Sequence, residues 1–267
     1  MTEPDDWAGA ADRELPSAAR MYDYYLGGMH NFAADREMAE RVLTTMPEGR
    51  LLARTNRSFL RRAVLTCLGA GIDQFLDLGS GIPTAGNVHE IARQADPSAR
   101  IVYVDNDPVA VSHSLTLLGD DPRCAVVRAD LRDTAAVLGH PDTHRVLDLT
   151  RPVAVLLVSV LHFLTDADRP YEVVDGYRRA AARGSMLVIT HGSNDVALHP
   201  GVAEAQKLYE DTSNPWGLRT RAQIERFFGD WALVAPGLVT AAQWRPDTPP
   251  DPRTDALPLL AGAARLA

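Results

Sequence analysis

The chain predicts an α/β fold, a Rossmann-like doubly wound sheet preceded by a helical segment, on three observations. Short apolar runs alternate with helical stretches from Ile72 to Thr190. A glycine turn, Gly79-Ser80-Gly81, follows the first run. Two extended segments, from Trp231 towards Trp244 and Leu257–Leu266, are joined by a Pro/Asp-rich loop with no room for a helix. Continuous apolar strands separated by helices are buried on both faces, which means a parallel sheet. Right-handed crossovers then bring the strand C-termini to one edge, where ligands bind. The two segments joined without a helix pair antiparallel.

Residues 1–16 are acidic, with two prolines and few packing residues, and predict a disordered tail. Ser17–Leu26 reads as a helix closed by Gly27-Gly28. Asn31 is placed to cap a second helix, whose face carries Phe32, Ala39, Val42, Leu43 and Met46 before Pro47 and Gly49 stop it. A third helix, about Leu51 to Leu68, buries Leu52, Phe59, Leu60, Ala63, Val64 and Cys67 and ends at Gly69 and Gly71. Residues 17–70 therefore form a helical cap or lid, and 71–267 the sheet domain. Its strands are Gln74–Leu78, Ile101–Val104, Cys124–Val127, Val153–Ser159 and Met186–Thr190; its helices are Thr84–Ala95, Pro108–Leu118, Asp133–Leu138 and Asp168–Ala182. Asn194–Gly217 is an irregular insertion with a helical piece, Val202–Tyr209, and Thr220-Arg221-Ala222-Gln223 resembles a capping box opening a helix through Phe228.

The 267 residues are 46% hydrophobic and 23% charged, ordinary for a globular protein. A net charge of −8 lacks the general electrostatic footprint of a nucleic-acid binder. Cys67 and Cys124 are far apart without metal-ligand spacing, so neither a disulfide framework nor a zinc site is expected and the default setting is the reducing cytoplasm. The acidic N-terminus lacks the apolar core of a secretory signal. Val153–Leu161 is about half of what a membrane span requires. A soluble protein without nucleic-acid or membrane partners is expected.

A dinucleotide site wants G-x-G-x-x-G after the first strand. Here Gly79-Ser80-Gly81 is followed by Ile82-Pro83-Thr84, so the third glycine is missing, and Asp77 would sit near the pyrophosphate. Asp77 suits a cationic ligand better, such as the ammonium of a methionine moiety. With the closing antiparallel hairpin, it points to S-adenosylmethionine (SAM) rather than NAD.

From Ile72 onward the chain resembles the class I SAM-dependent methyltransferases. More specifically, five segments in order resemble a mainly actinobacterial family of S-adenosyl methyltransferases of unknown substrate: "YDYYLGGMHNFAADR" (Tyr22–Arg36), "RTNRSFLRRAV" (Arg54–Val64), "QFLDLGSGIPTAGNVHE" (Gln74–Glu90), "VYVDNDP" (Val102–Pro108) and "SVLHFL" (Ser159–Leu164). The chain departs from many members at Met29-His30, where they carry Lys-Asp, so neither position is assigned a role. The resemblance implies a seven-stranded sheet, six strands parallel and the last antiparallel. It implies that Gly79, Ser80 and Gly81 approach the methionine and ribose of SAM, that Asp77 holds the amino end, and that Asp105, with Asn106 beside it, accepts the ribose hydroxyls. Asp107 is the alternative acid. Asp130 accepts from the adenine amino group and the Leu131 amide donates to a ring nitrogen. Ser159 ends the fourth strand under the sulfonium.

His162 and His191 both end strands on the functional edge, and either is a candidate general base, His162 the stronger. Transfer from a sulfonium rests mostly on alignment and desolvation, so no base is obligatory. Asn56 falls on the apolar stripe of the third helix and either ties down a neighbouring segment or faces the ligand. Arg57 is placed to fork onto a carboxylate, of Asp77 or of the cofactor. Tyr22, with Tyr24, Tyr25 and Gly27-Gly28, is either aromatic packing or a lid, and the resemblance favours the lid with Tyr22 over SAM. Trp216 is a candidate wall of the acceptor pocket. The expected function is methyl transfer from SAM to an O, N or C nucleophile on a small molecule; the alternative is a SAM-binding sensor without turnover.

Overall fold

The computed structural model describes residues 12–84, 86–195 and 201–267. Its strands are β1 (Gln74–Leu78), β2 (Arg100–Asp105), β3 (Cys124–Arg128), β4 (Ala154–Val158), β5 (Met186–Gly192), β6 (Ala232–Leu233), β7 (Val239–Thr240) and β8 (Leu259–Arg265). They form one sheet in the order β3-β2-β1-β4-β5-β8-β6, with β7 also on β8. β1 to β5 are parallel. β8 runs antiparallel to β5, from Met186 opposite Arg265 to Gly192 opposite Leu259. β6 and β7 both pair antiparallel with β8, so they run in the direction of β1 to β5 as a sixth strand in two short pieces. The doubly wound sheet with an antiparallel last strand is thus the expected one, its sixth strand interrupted.

The helices are α1 (Ala18–Tyr25), α2 (Ala33–Thr45), α3 (Gly49–Gly69), α4 (Val88–Ala95), α5 (Pro108–Leu118), α6 (Thr134–Leu138), α7 (Pro141–Val146), α8 (Pro170–Ala180), α9 (Val202–Glu210) and α10 (Arg221–Glu225). Side chains alternate across a strand. Leu76 and Leu78 therefore join Val102, Val174 and Tyr177 on one face. Phe75 joins Phe59, Val64, Ile101 and Leu156 on the other. Asp77 shares the face of Phe75, which puts its carboxylate under α3. The later turns of α3, from Phe59 to Cys67, belong to this sheet core. Its first turns meet α1, α2 and α9 in a separate cluster of Met21, Tyr25, Met38, Val42, Met46, Ala53, Val202 and Ala205.

Several element ends differ from expectation. Asn31 does not cap α2: its amide donates to Asp23 (2.8 Å) and to the Gly28 carbonyl (3.0 Å). The α2 entry is held instead by Asp35, which accepts from the Phe32 amide at 2.7 Å. Pro83 and Thr84 do not open α4. Gly86 adopts a φ of +67°, which breaks a helical path, and the helix starts at Val88 behind Asn87, whose amide donates to Glu90 at 2.8 Å. α7 was not expected. Of the anticipated tail, residues 1–11 lie outside the described residues. Residues 12–16 are bonded rather than loose: Arg20 donates to the Asp12 (3.1 Å) and Leu15 (2.6 Å) carbonyls, and the Ser213 amide to that of Pro16 (3.0 Å).

Candidate active site

In the strand order 2-1-4-5, the neighbours β1 and β4 mark the point where the chain's winding reverses, and a crevice opens beyond their C-terminal ends. It is a cavity of about 670 Å³, within the range of small-molecule sites. Tyr22, Arg57, Asp77, Gly79, Ser80, Gly81, Asp105, Asn106, Asp130, Leu131, Ser159 and His162 all line it, as do Asn56, Asp107 and Trp216, whereas the other candidate base, His191, does not. The first twelve arrive from the ends of four strands and from α1 and α3.

The turn after β1 depends on glycine twice. Gly79 has a φ of +71°, and a Cβ on it would lie 2.3 Å from Val160 Cγ2. Gly81 has a φ of +66° but would meet nothing within 4 Å. Gly79 is thus required by the protein's own packing, whereas the room at Gly81 belongs to the crevice. The amides of Gly79 and Ser80 donate to the Val104 carbonyl (2.8 and 3.1 Å), tying the turn to β2. The Gly81 amide donates to Asp105 Oδ2 at 2.7 Å. Ser80 Oγ is buried and has no hydrogen-bond partner among the described residues.

Two carboxylates stand at this turn. Asp77 is 6% exposed, and although its backbone is paired in the sheet, no described residue donates a hydrogen bond to its carboxylate. Burial pushes its pKa up to about 7; the Arg57 charge opposes that shift and Asp105 adds to it. Asp105 is also raised, to about 6, chiefly by burial, against the hydrogen bonds from the amides of Asp107 and Gly81. The alternative acid, Asp107, is committed elsewhere. Its Oδ1 caps α5, accepting from Val109 (2.8 Å) and Ala110 (3.2 Å). Its Oδ2 accepts from Ser17 Oγ (2.6 Å) and Arg20 (3.4 Å). Arg20, in a buried pair with Asp35 (2.8 Å), thereby draws the start of α1 across the crevice.

Arg57 does not pair with Asp77. Among the described residues it forms no ion pair, and its guanidinium lies 5.6 Å from the centre of the Tyr22 ring. Asp130 is forked by Arg132, with Nε at 3.0 and 2.9 Å from its two oxygens, and this holds its carboxyl below the ordinary range. Arg132 also reaches Asp168 at 2.6 Å. The Leu131 carbonyl accepts from the Tyr177 hydroxyl at 2.7 Å, which fixes the backbone of this wall.

Asn56 ties three elements together while lining the crevice. It donates to the Tyr22 hydroxyl (2.9 Å) and accepts from Thr190 Oγ1 (2.8 Å). Thr190 Oγ1 in turn accepts from the Ser159 amide at 2.8 Å. Ser159 has a φ of +56°, a left-handed conformation unusual for a residue with a Cβ. The relay thus holds a strained residue at the end of β4. Nothing local in the sequence signals the Thr190 end of the relay, 134 positions away from Asn56.

The two histidines differ. His191 is fully buried; it shares its Nδ1 hydrogen with the Gly192 carbonyl (2.7 Å), and its Nε2 accepts from Arg219 (2.9 Å). Burial holds it neutral, down to about 3. Its lone pair is taken and it does not line the cavity, so His191 is not a general base. His162 does line the cavity. Neither of its ring nitrogens is bonded within the described residues, and Nδ1 is sealed from solvent. Burial, then the neighbouring His191 and Arg219, push its pKa well below the ordinary histidine value. Trp216 also lines the cavity, with Tyr209, Phe163 and Tyr25. Tyr25 and Phe163 fall within segments that carry the resemblance, whereas Tyr209 comes from the helical piece of the insertion. Among the described residues, no helix is long and apolar enough to cross a membrane, and no cluster of three or more His, Cys, Asp or Glu is placed to hold a metal.

Comparison with known proteins bears on the family and the fold. The model of the S-adenosyl methyltransferase family matches residues 6–267. A candidate methyltransferase from Thermobifida fusca is 42% identical, with a TM-score of 0.89 over 96% of each chain. A DUF574 family protein from Streptomyces avermitilis is 37% identical, with a TM-score of 0.91 over 96% of this chain and 99% of that one. A curated relative, ribosomal RNA small subunit methyltransferase H of Halorhodospira halophila, is 30% identical over 102 residues, 38% of this chain. That match spans only 31% of the curated protein's length.

Proposed function

Because this chain belongs to the S-adenosyl methyltransferase family, whose methyl donor is S-adenosylmethionine, we propose that its cavity seats SAM and that the protein transfers the methyl group to a small-molecule nucleophile. The observation that carries the reading is Asp77: a buried carboxylate, raised to about 7 and bonded to no described residue, at a glycine turn with open space beside it. A buried charge without a partner is costly. The ammonium of SAM supplies the partner. The orphaned Ser80 Oγ and the room at Gly81 fit the same group.

Gly79, Ser80 and Gly81 then bring backbone against the methionine and ribose, and Arg57, free of Asp77, meets the cofactor's carboxylate bidentately. Asp105, with Asn106 beside it, accepts the ribose hydroxyls. Asp130 and the Leu131 amide face the adenine. Ser159 lies under the sulfonium, and Tyr22 closes over it from α1. Within the cap of residues 17–70, α1 would close over the cavity about Gly27-Gly28, latched by Arg20 and Ser17 to Asp107. SAM supplies an electrophilic methyl on a positive sulfur. The protein's part is alignment and exclusion of water, with His162 the base where the acceptor loses a proton. A net charge of −8 opposes a nucleic acid as acceptor. Two buried thiols, Cys67 and Cys124, fit a cytoplasmic setting.

The test is calorimetric titration with S-adenosylhomocysteine (SAH) and with NAD, on wild type and Asp105→Ala. SAH binds wild type and is weakened about a hundredfold in the variant, from lost charged hydrogen bonds. NAD binding without SAH binding refutes the reading. SAH binding with no turnover of any acceptor returns the sensor.

A further inference from the structure

Beyond the cofactor turn, the cavity changes character. Its far wall is aromatic: Tyr25, Phe163, Tyr209 and Trp216, with the His162 ring among them. Four of these rings, His162, Phe163, Tyr209 and Trp216, touch one another. His162 packs on Phe163 (4.4 Å between centres) and on Trp216 (6.2 Å). Tyr209 packs on Phe163 (6.2 Å) and on Trp216 (5.7 Å). They come from the turn after β4, from α9 and from the loop before Arg219, and the Gly217 amide donating to the His162 carbonyl (2.7 Å) locks turn to loop.

The charged residues of the lining lie elsewhere. Arg20 is spent on Asp35 and Asp107, and Arg132 on Asp130 and Asp168. Behind the His162 side of the aromatic wall lies Arg219, 5% exposed. It donates to the carbonyls on either side of His162, Leu161 (3.1 Å) and Leu164 (2.8 Å), and to His191. Its carboxylate partner, Asp166, is an exposed side chain at 3.3 Å, where solvent screens the pair. A buried guanidinium beneath His162 repels a cation and favours negative charge at the reacting atom.

We infer that the methyl acceptor is a flat aromatic molecule bearing a phenol-type hydroxyl, which packs on the Phe163–Tyr209–Trp216 wall and presents its oxygen to His162. This rests on the SAM reading above. Aromatic walls bind flat apolar rings through area and ring-to-ring geometry. The hydroxyl class follows from the placement of His162, whose ring lines the cavity over the carbonyls that Arg219 holds. Burial, His191 and Arg219 keep it neutral, so it is a weak base. It can relieve a phenol, with a pKa near that of tyrosine at about 10, far more readily than an aliphatic alcohol. Arg219 stabilises the oxygen as its charge grows. In the step, the oxygen lone pair forms the new O–C bond and the C–S electrons remain on sulfur. The hydroxyl proton passes to His162 Nε2, since Nδ1 is sealed away, and from there to water.

The test uses three probes against SAH-loaded protein: 2-naphthol, its saturated analogue decahydro-2-naphthol, and the cationic 2-naphthylmethylamine. 2-Naphthol is expected to bind about tenfold or more tightly than either of the others. Trp216→Ala is expected to weaken 2-naphthol about tenfold, and Trp216→Phe to retain most of it, with SAH affinity unchanged in both. Equal binding of the three probes, strongest binding of the amine, or binding of SAH with none of the probes overturns the inference and leaves the cofactor site intact. Failure of SAH itself to bind overturns the SAM reading beneath it.

Discussion

Asp77 allows the sharpest prediction, because its surroundings set both a pH and a sign. Its pKa is about 7 in the folded protein against an ordinary 3.8. A folded value above the unfolded one means the stabilising contribution is complete below pH 3.8 and is lost as pH rises through about 7. At about 1.4 kcal/mol per unit, the loss amounts to some 4 kcal/mol. A bound ammonium favours the charged form, so SAH binding must expel the proton. Affinity should therefore fall about tenfold for each pH unit below 7 and level off above it. Asp105, at about 6, adds a second loss lower down. The assay is SAH titration calorimetry from pH 5.5 to 8.5, repeated in buffers of different ionisation enthalpy so that the released proton is counted. Asp77→Asn should abolish the slope near pH 7, bind as weakly as the acid form, and be more stable than wild type at pH 8 without ligand. A wild-type affinity that is flat from pH 6 to 8, with no proton released, would refute the argument.

Two further substitutions separate packing from binding. Asn56→Ala leaves the Tyr22 hydroxyl and Thr190 short of partners and should cost about 2–3 kcal/mol in denaturant unfolding. Gly79→Ala forces a Cβ to 2.3 Å from Val160 at a φ of +71°, and should cost about 2–4 kcal/mol in the same measurement. Gly81→Ala, at a φ of +66° with nothing within 4 Å, should cost only about 1–2 kcal/mol. Its SAH affinity, by contrast, should collapse because the methyl group occupies cofactor space.

Much of the sheet was legible locally. β1 runs from Gln74 to Leu78, as its apolar run implies, and β3 to β5 differ only at their ends. Helix starts were less legible. Thr84 and Asn31 carry good capping side chains, but both bond to Asp23 rather than to their own helices. A cap competes with whatever tertiary partner is nearer. The choice between Asp105 and Asp107 was likewise open in the sequence. The folded chain shows Asp107 taken up by α5, Ser17 and Arg20.

By itself the sequence determined the sheet class, the glycine turn and the cofactor class, because these rest on periodicity and on residues adjacent in the chain. A strand, a positive-φ turn and an acid at a strand end are local patterns. Tertiary structure alone decided which histidine lines the cavity, which acid is free, and which rings share the cavity's far wall. Those outcomes depend on Arg219 meeting His191, on Thr190 meeting Asn56, and on Phe163, Tyr209 and Trp216 sharing one wall. Burial and charge at a site are sums over neighbours distant in sequence, and no local pattern carries them.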